Sequence, residues 1–165
     1  IGSTVARLLR GFETRTLYTD VRQSPEGEKY GAKRVPMDEL LRESDVVTLH
    51  VPLLKSTRRL IGARELALMK PSAVLINTCR GPVVDEKALH SALAGHRIWG
   101  AGLDVFEVEP VGGGNPLFGL DNVVVAPHVA GKSSESYPRR VDFAYRNMQR
   151  VWAGKPPESV VLPEE

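Results

Sequence analysis

Short apolar runs, each closed by a polar residue, glycine or proline, alternate along this chain with stretches whose apolar positions recur at helical spacing. Val5-Ala6-Arg7-Leu8-Leu9 predicts a first helix, stopped at Gly11. Arg15 to Thr19 predicts a strand that ends at Asp20. A short strand at Lys33 to Val35 follows, then a helix opened by Pro36 through Met37-Asp38-Glu39-Leu40-Leu41, then the strand Val46-Val47-Thr48-Leu49. Pro52 prevents that strand from extending, because proline supplies no amide donor. Ala63 to Met69 predicts a helix ended by Pro71, and Ala73-Val74-Leu75-Ile76 a strand that delivers Asn77 to Gly81. Asp85 opens a helix that runs through Leu89 and Leu93 to Gly95. Ile98 to Leu103 is a strand ending in an acid, Asp104, and Asn122 to Ala126 is the last, ending at Pro127-His128. From Ser133 to Ala153 the pattern is helical, with Val141, Ala144, Met148 and Val151 on one packing face. Strands alternating with helices specify an α/β fold with a doubly wound parallel sheet, since parallel neighbours need a crossover connection.

Length and composition narrow this picture. The 165 residues suit one domain, and 42% apolar with 25% charged residues is ordinary for a globular protein with a sizeable core. A net charge of +2, its signs interspersed, gives no field that argues for nucleic acid or a membrane surface as partner. A lone cysteine, Cys79, excludes an internal disulfide framework. No apolar stretch is long enough to span a bilayer, and a cytoplasmic location is the default expectation. The histidines, His50, His90, His96 and His128, show no paired ligand spacing, so no metal is expected. The segment Val111-Gly112-Gly113-Gly114-Asn115-Pro116 is a flexible loop rather than a phosphate cradle, because no strand-to-helix context surrounds it.

The candidate chemistry lies just past the ends of the apolar runs: Arg80 in Asn77-Thr78-Cys79-Arg80-Gly81, Glu109 in Asp104-Val105-Phe106-Glu107-Val108-Glu109-Pro110, and His128 in Pro127-His128-Val129-Ala130-Gly131. The carboxyl ends of parallel strands line the crevice where ligands bind in open α/β sheets, so a cation, an acid and an imidazole can converge there. Arg80 offers a planar fork of donors suited to bidentate contact with a carboxylate and to charge growing on a carbonyl oxygen. Imidazole has an ordinary pKa near working pH, which suits His128 to give and take a proton. Glu109, bonded to the other ring nitrogen, would favour the protonated ring and hold its orientation. Each residue also has a structural alternative: Arg80 as a surface arginine in a turn, Glu109 as a loop acid held by Pro110, His128 as an imidazole satisfied by backbone. Glu107 reads as solvated, His50 as structural rather than catalytic, and Cys79 has no base beside it in sequence. Gly2 would be the third glycine of a Gly-x-Gly-x-x-Gly turn, which places a first strand upstream of Ile1. Asp20 then stands where an acid binds the adenosine ribose hydroxyls and disfavours the extra phosphate of NADP, although Arg22 nearby could accommodate that phosphate.

These motifs, in this order, resemble the D-isomer-specific 2-hydroxyacid dehydrogenases that use NAD, and the likeness runs from Ile1 to about Pro157. The resemblance implies a Rossmann-like NAD-binding domain over residues 1–154, its first strand missing, with a tail over 155–165 returning toward a separate substrate domain absent from this chain. It implies hydride transfer between NAD(H) and a D-2-hydroxy acid or its 2-oxo counterpart, of the phosphoglycerate, glycerate, glyoxylate or lactate type. Arg80, Glu109 and His128 would be catalytic. Contacts to NAD would come from Ile1, Gly2, Asp20, His50, Val51, Pro52, Thr57, Thr78, Cys79, Arg80, Asp104, His128, Ala130 and Gly131, with Asp104 meeting the nicotinamide carboxamide. It also implies a homodimer paired through the nucleotide-binding domain, with no nucleic acid or membrane partner. The chain alone, holding half an active site, is expected to be inactive. Two alternatives stay open: an NAD-sensing regulatory protein on the same fold, as in the carboxy-terminal-binding corepressors, and a bare cofactor-binding fragment without turnover.

Overall fold

The computed structural model describes residues 1–160. Its contacts divide the chain into two units, Ile1–His128 and a second that starts at Val129. The division expected at residue 154 falls inside the second unit, and the last five residues of the tail 155–165 lie outside the described residues.

The first unit is a Rossmann-like arrangement of parallel strands and helices. It runs α1 (Gly2–Leu9), β1 (Leu17–Tyr18), α2 (Pro25–Lys29), β2 (Lys33–Arg34), α3 (Met37–Glu43), β3 (Val46–Leu49), α4 (Ala63–Leu68), β4 (Val74–Asn77), α5 (Glu86–Ala94), β5 (Gly100–Leu103) and β6 (Val123–Val125). β3, β4, β5 and β6 form one parallel sheet in chain order, and β1 pairs with β2 in a separate parallel ladder. The register sets Asn77 beside Leu49 on one side and Leu103 on the other. α3, α4 and α5 pack side by side, and α1 packs on α2.

The apolar runs read from the sequence form these strands because each supplies one face to a common core. Leu41, Ile61, Leu66, Leu75, Val83, Leu89, Leu93, Ile98 and Leu117 are buried there. Burying a side chain of this size contributes roughly 1.5–3 kcal/mol, which outweighs the weak intrinsic preferences of such short strands. Helix starts follow local chemistry. The Asp85 carboxylate accepts from Ala88 N–H at 3.0 Å to open α5, and Glu65 reaches back to Gly62 N–H at 3.0 Å to open α4.

Several expectations need correction. The strand expected over Arg15 to Thr19 pairs only at Leu17 and Tyr18, because its ladder partner β2 is itself two residues long. α2 was not expected at all; the Ser24 hydroxyl accepts from Gly27 N–H at 3.2 Å, Pro25 supplies the first helical φ, and Glu26 and Glu28 complement the dipole. In the second unit the expected helix spans Ser136–Trp152, yet none of its residues is buried. Val141, Met148 and Val151 are more than half exposed, since α6 (Ser136–Trp152) is the only regular element of its unit among the described residues.

Candidate active site

The ladder of the four-stranded sheet continues past the strand ends and ties the candidate residues together through main chain. Asp104 N–H donates to Asn77 C=O at 3.0 Å, and His128 N–H donates to Asp104 C=O at 2.9 Å. The turns after β4, β5 and β6 are therefore held in one row, at the carboxyl end of the sheet where the sequence reading places a crevice.

Gly81 brings two of these turns closer than any other residue could. A Cβ built on Gly81 would lie 1.8 Å from the Phe106 carbonyl oxygen and 2.6 Å from Glu107 N, so the chain bearing Arg80 runs directly against the chain bearing Glu109. Gly81 to Val83 form a single 3-10 turn, and Val84 N–H closes it onto Gly81 C=O at 3.0 Å.

Glu109 is gripped at both oxygens. Phe106 N–H donates to Oε1 at 2.9 Å, and Oε2 lies 2.7 Å from His128 Nδ1. The bond to His128, reinforced by that amide, holds the Glu109 carboxyl below its ordinary range. An ionised carboxylate only accepts, so Nδ1 carries the proton of this contact and Nε2 is left to face a ligand. His128 adopts φ +55°, a left-handed conformation that costs an L-residue about 1 kcal/mol or more. Its amide and its ring are both bonded, which holds it there.

Arg80 is exposed in an extended conformation, and its Nη1 donates to Cys79 C=O at 2.6 Å. No hydrogen bond joins Arg80 to Glu109 or His128 among the described residues. Thr78 is exposed and Cys79 half-buried beside it. Asp104 is 4% exposed and stands between the turns. Glu107, expected to be solvated, is paired with Arg59 at 3.2 Å, while its amide donates to Glu86 at 2.8 Å. Glu86 also accepts from Asn115 Nδ2 at 2.7 Å and so staples the Glu107 loop to α5. Sequence reasoning missed Asn77, Gly81 and this staple; the only signals were an asparagine at a strand end and a glycine after an arginine.

The other candidate residues stand at separate places in the two units. A Cβ on Gly2 would lie 3.6 Å from the His50 ring, so the start of α1 and the residue after β3 are neighbours. His50 is half-buried, with Nε2 3.1 Å from Thr48 Oγ1, and burial lowers its pKa. Val51 packs against the core, whereas Pro52 is exposed. The Thr57 hydroxyl donates to Pro52 C=O at 2.6 Å and accepts from Leu54 N–H at 2.8 Å, which folds the loop between them. Asp20 is exposed after β1, its Oδ1 accepting from Arg22 N–H at 3.2 Å and its C=O from Arg34 Nη2 at 2.8 Å. Ala130 and Gly131 belong to the second unit, where Gly131 C=O accepts from Arg140 at 2.8 Å and from the Ser136 hydroxyl at 3.0 Å.

The head of α1 fits the phosphates of a dinucleotide. Ile1 is an exposed residue at the head of α1, and the amides of Gly2, Ser3 and Thr4 precede the helix's first bond, from Val5 N–H to Ile1 C=O. No residue of that first turn is acidic and no side chain caps it, so its amides and the positive end of the helix dipole can take an anion, with the Glu26 carboxylate at its side on the Ser3 hydroxyl at 3.3 Å. Among the described residues, no three His, Cys, Asp or Glu side chains gather as metal ligands, and no helix is long and apolar enough to cross a membrane.

The family model for the D-isomer specific 2-hydroxyacid dehydrogenase, NAD binding domain, matches residues 1–130. Among curated proteins, the chain is similar to a glyoxylate reductase of Korarchaeum cryptofilum, 46% identical over 165 residues that cover 99% of this chain and 50% of that protein. Among solved structures, it is similar to a D-lactate dehydrogenase with NAD+ from Lactobacillus jensenii, with TM-score 0.89 and 34% identity, covering 99% of this chain and 53% of that one. An acyclic imino acid reductase in complex with NADPH and D-Arg superposes with TM-score 0.87 at 37% identity, covering 98% of this chain and 50% of that one. The chain thus spans about half the length of the curated relatives it matches.

Proposed function

The chain belongs to the D-isomer specific 2-hydroxyacid dehydrogenases as their NAD-binding domain, and from that premise we propose that it is the cofactor-binding half of an oxidoreductase acting on a D-2-hydroxy acid or its 2-oxo counterpart. The observation that carries this reading is the Glu109 carboxylate bonded to Phe106 N–H and to His128 Nδ1, one main-chain row away from the turn of Arg80.

When bound, NADH supplies a hydride to the carbonyl carbon of the substrate, which no side chain of the chain can do. Arg80 grips the substrate carboxylate and polarises the carbonyl. His128, its Nδ1 proton held on Glu109, gives a proton from Nε2 to the growing alkoxide and takes it back in the oxidative direction. Glu109 orients the ring without itself transferring a proton. Gly2 and the first amides of α1 hold the pyrophosphate, Asp20 the adenosine ribose, Asp104 the carboxamide, and His50 to Pro52 with Thr57, Thr78 and Cys79 line the cofactor. The names of the relatives favour small acids of the glyoxylate and lactate type. On this reading residues 1–154 are the cofactor domain, 155–165 lead to a substrate domain, and the protein works as a cytoplasmic homodimer.

The test is oxo-acid-dependent oxidation of NADH by the intact protein, with His128→Gln alongside. Turnover with glyoxylate or pyruvate that falls by about 100-fold or more in the variant, while NADH still binds, is expected for a lost general acid. Undiminished turnover would remove His128 from the chemistry. NADH binding without turnover of any 2-oxo acid would instead favour a regulatory role.

A further inference from the structure

Asn77 ends β4 with only 1% of its surface exposed, and its carboxamide makes three bonds, all within the turn that leads to Arg80. Oδ1 accepts from Cys79 N–H at 3.1 Å, closing an Asx turn, and from Cys79 Sγ–H at 3.1 Å. Nδ2 donates to Arg80 C=O at 3.0 Å. The two peptides so held, Thr78–Cys79 and Arg80–Gly81, flank the one whose carbonyl, Cys79 C=O, takes the Arg80 guanidinium at 2.6 Å. Below it, Asn77 C=O receives Asp104 N–H, the first bond of the row that ends at His128. Leaving a buried amide without partners is costly, so this carboxamide fixes the turn strongly in one conformation.

We propose that Asn77 is a positioning residue: its carboxamide sets the path of the Thr78 to Arg80 turn and thereby aims the Arg80 guanidinium at the substrate carboxylate. This rests on the reading of Arg80 as the carboxylate anchor. The residue type matters at both ends of the amide. An aspartate would keep the acceptor for Cys79 N–H but set a carboxylate against Arg80 C=O with no proton between them. A serine offers one shorter hydroxyl in place of the two polar ends of the amide.

The test is a double-mutant cycle in the intact enzyme with NADH and a 2-oxo acid, using Arg80→Ala, Asn77→Ala and the double variant. Asn77→Ala is expected to raise KM for the oxo acid and lower kcat/KM by about 10- to 100-fold, the cost of an anchor displaced by about an ångström. The dissociation constant for NADH should rise by a smaller factor than KM for the oxo acid, because Thr78 and Cys79 on this turn are only part of the cofactor's lining, whereas Arg80 alone grips the substrate carboxylate. In the Arg80→Ala background the same substitution should change kcat/KM by less than about threefold, since residues acting through one group are non-additive. Asn77→Ser should recover part of the loss. If Asn77→Ala does not fold, the cycle is run with Asn77→Ser and judged the same way. Full additivity, or an unchanged KM in both Asn77 variants, overturns the positioning role while leaving Arg80 as anchor. An unchanged kcat/KM in Arg80→Ala overturns both.

Discussion

The four-stranded sheet β3–β6 and the short ladder β1–β2 are both parallel, yet different forces hold them. In the larger sheet, Leu49, Leu75 and Leu103 point into a core closed by Leu66, Leu89 and Leu93. In the ladder, Leu17 and Tyr18 are half-buried and Lys33 and Arg34 exposed, and the contacts are polar. The Tyr18 hydroxyl donates to Glu28 at 2.7 Å and accepts from Ser24 N–H at 2.9 Å; Arg34 bonds Asp20 C=O; Arg15 pairs with Glu43. Close packing fixes positions within tenths of an ångström, and a hydrogen-bonded surface loop does not. The candidate reacting groups, Arg80, Glu109 and His128, all stand on the packed side. Asp20, whose proposed task is to hold ribose hydroxyls, stands on the polar side, where a looser fit suffices.

Core truncation should separate the two regions most widely. Leu75→Ala, at a site with no exposed surface, is expected to cost about 2–5 kcal/mol in denaturant unfolding, the range for deleting a buried leucine. Leu17→Ala should cost about 1 kcal/mol, as for a half-buried residue. Equal costs would mean that the ladder is packed as well as the sheet, and the contrast would fail. A smaller but sharper difference is expected from adding one methyl. Gly81→Ala must push the Phe106 carbonyl aside and is expected to destabilise by about 1–3 kcal/mol. Gly11→Ala meets nothing within 4 Å and should stay within about 0.5 kcal/mol of the parent. A neutral Gly81→Ala would show that the turns of Arg80 and Glu109 move freely against each other.

The same contrast decides how much of the molecule is legible in its sequence. β4 and β5 are readable because apolar runs that fill a core announce themselves by composition, and Arg80, Asp104 and His128 are then readable as strand-end residues. α2 is not: five residues, Pro25–Lys29, carry charge rather than periodicity, and their stability comes from the Ser24 cap and α1. The 2.7 Å contact of Glu109 with His128 depends on Phe106 N–H steering the carboxylate, and backbone donors leave no side-chain pattern. Glu107 reads as solvent-facing because its partner Arg59 lies far away in sequence, in a loop with positive φ that tertiary contacts impose. The stripe on α6 shows the opposite limit: periodicity reports an apolar face but not what covers it.

His50 offers the finest probe, because it follows β3 on the packed side while its ring lies beside Gly2, the start of the helix that packs on α2. Burial depresses its pKa in the folded chain below the ordinary imidazole value of about 6.5. The unfolded chain therefore binds the proton more readily, and stability from this group is complete above that ordinary value and lost as pH falls toward the lower folded one. Hydrogen exchange across this window should show the amides of α1 losing protection before those of β3 to β5, since a charged ring at the seam is relieved by parting α1 from the sheet. His50→Gln should flatten the pH dependence and leave the order of protection at neutral pH unchanged. If β4 opened together with α1, the seam would not divide the unit, and the polar and packed sides would unfold as one.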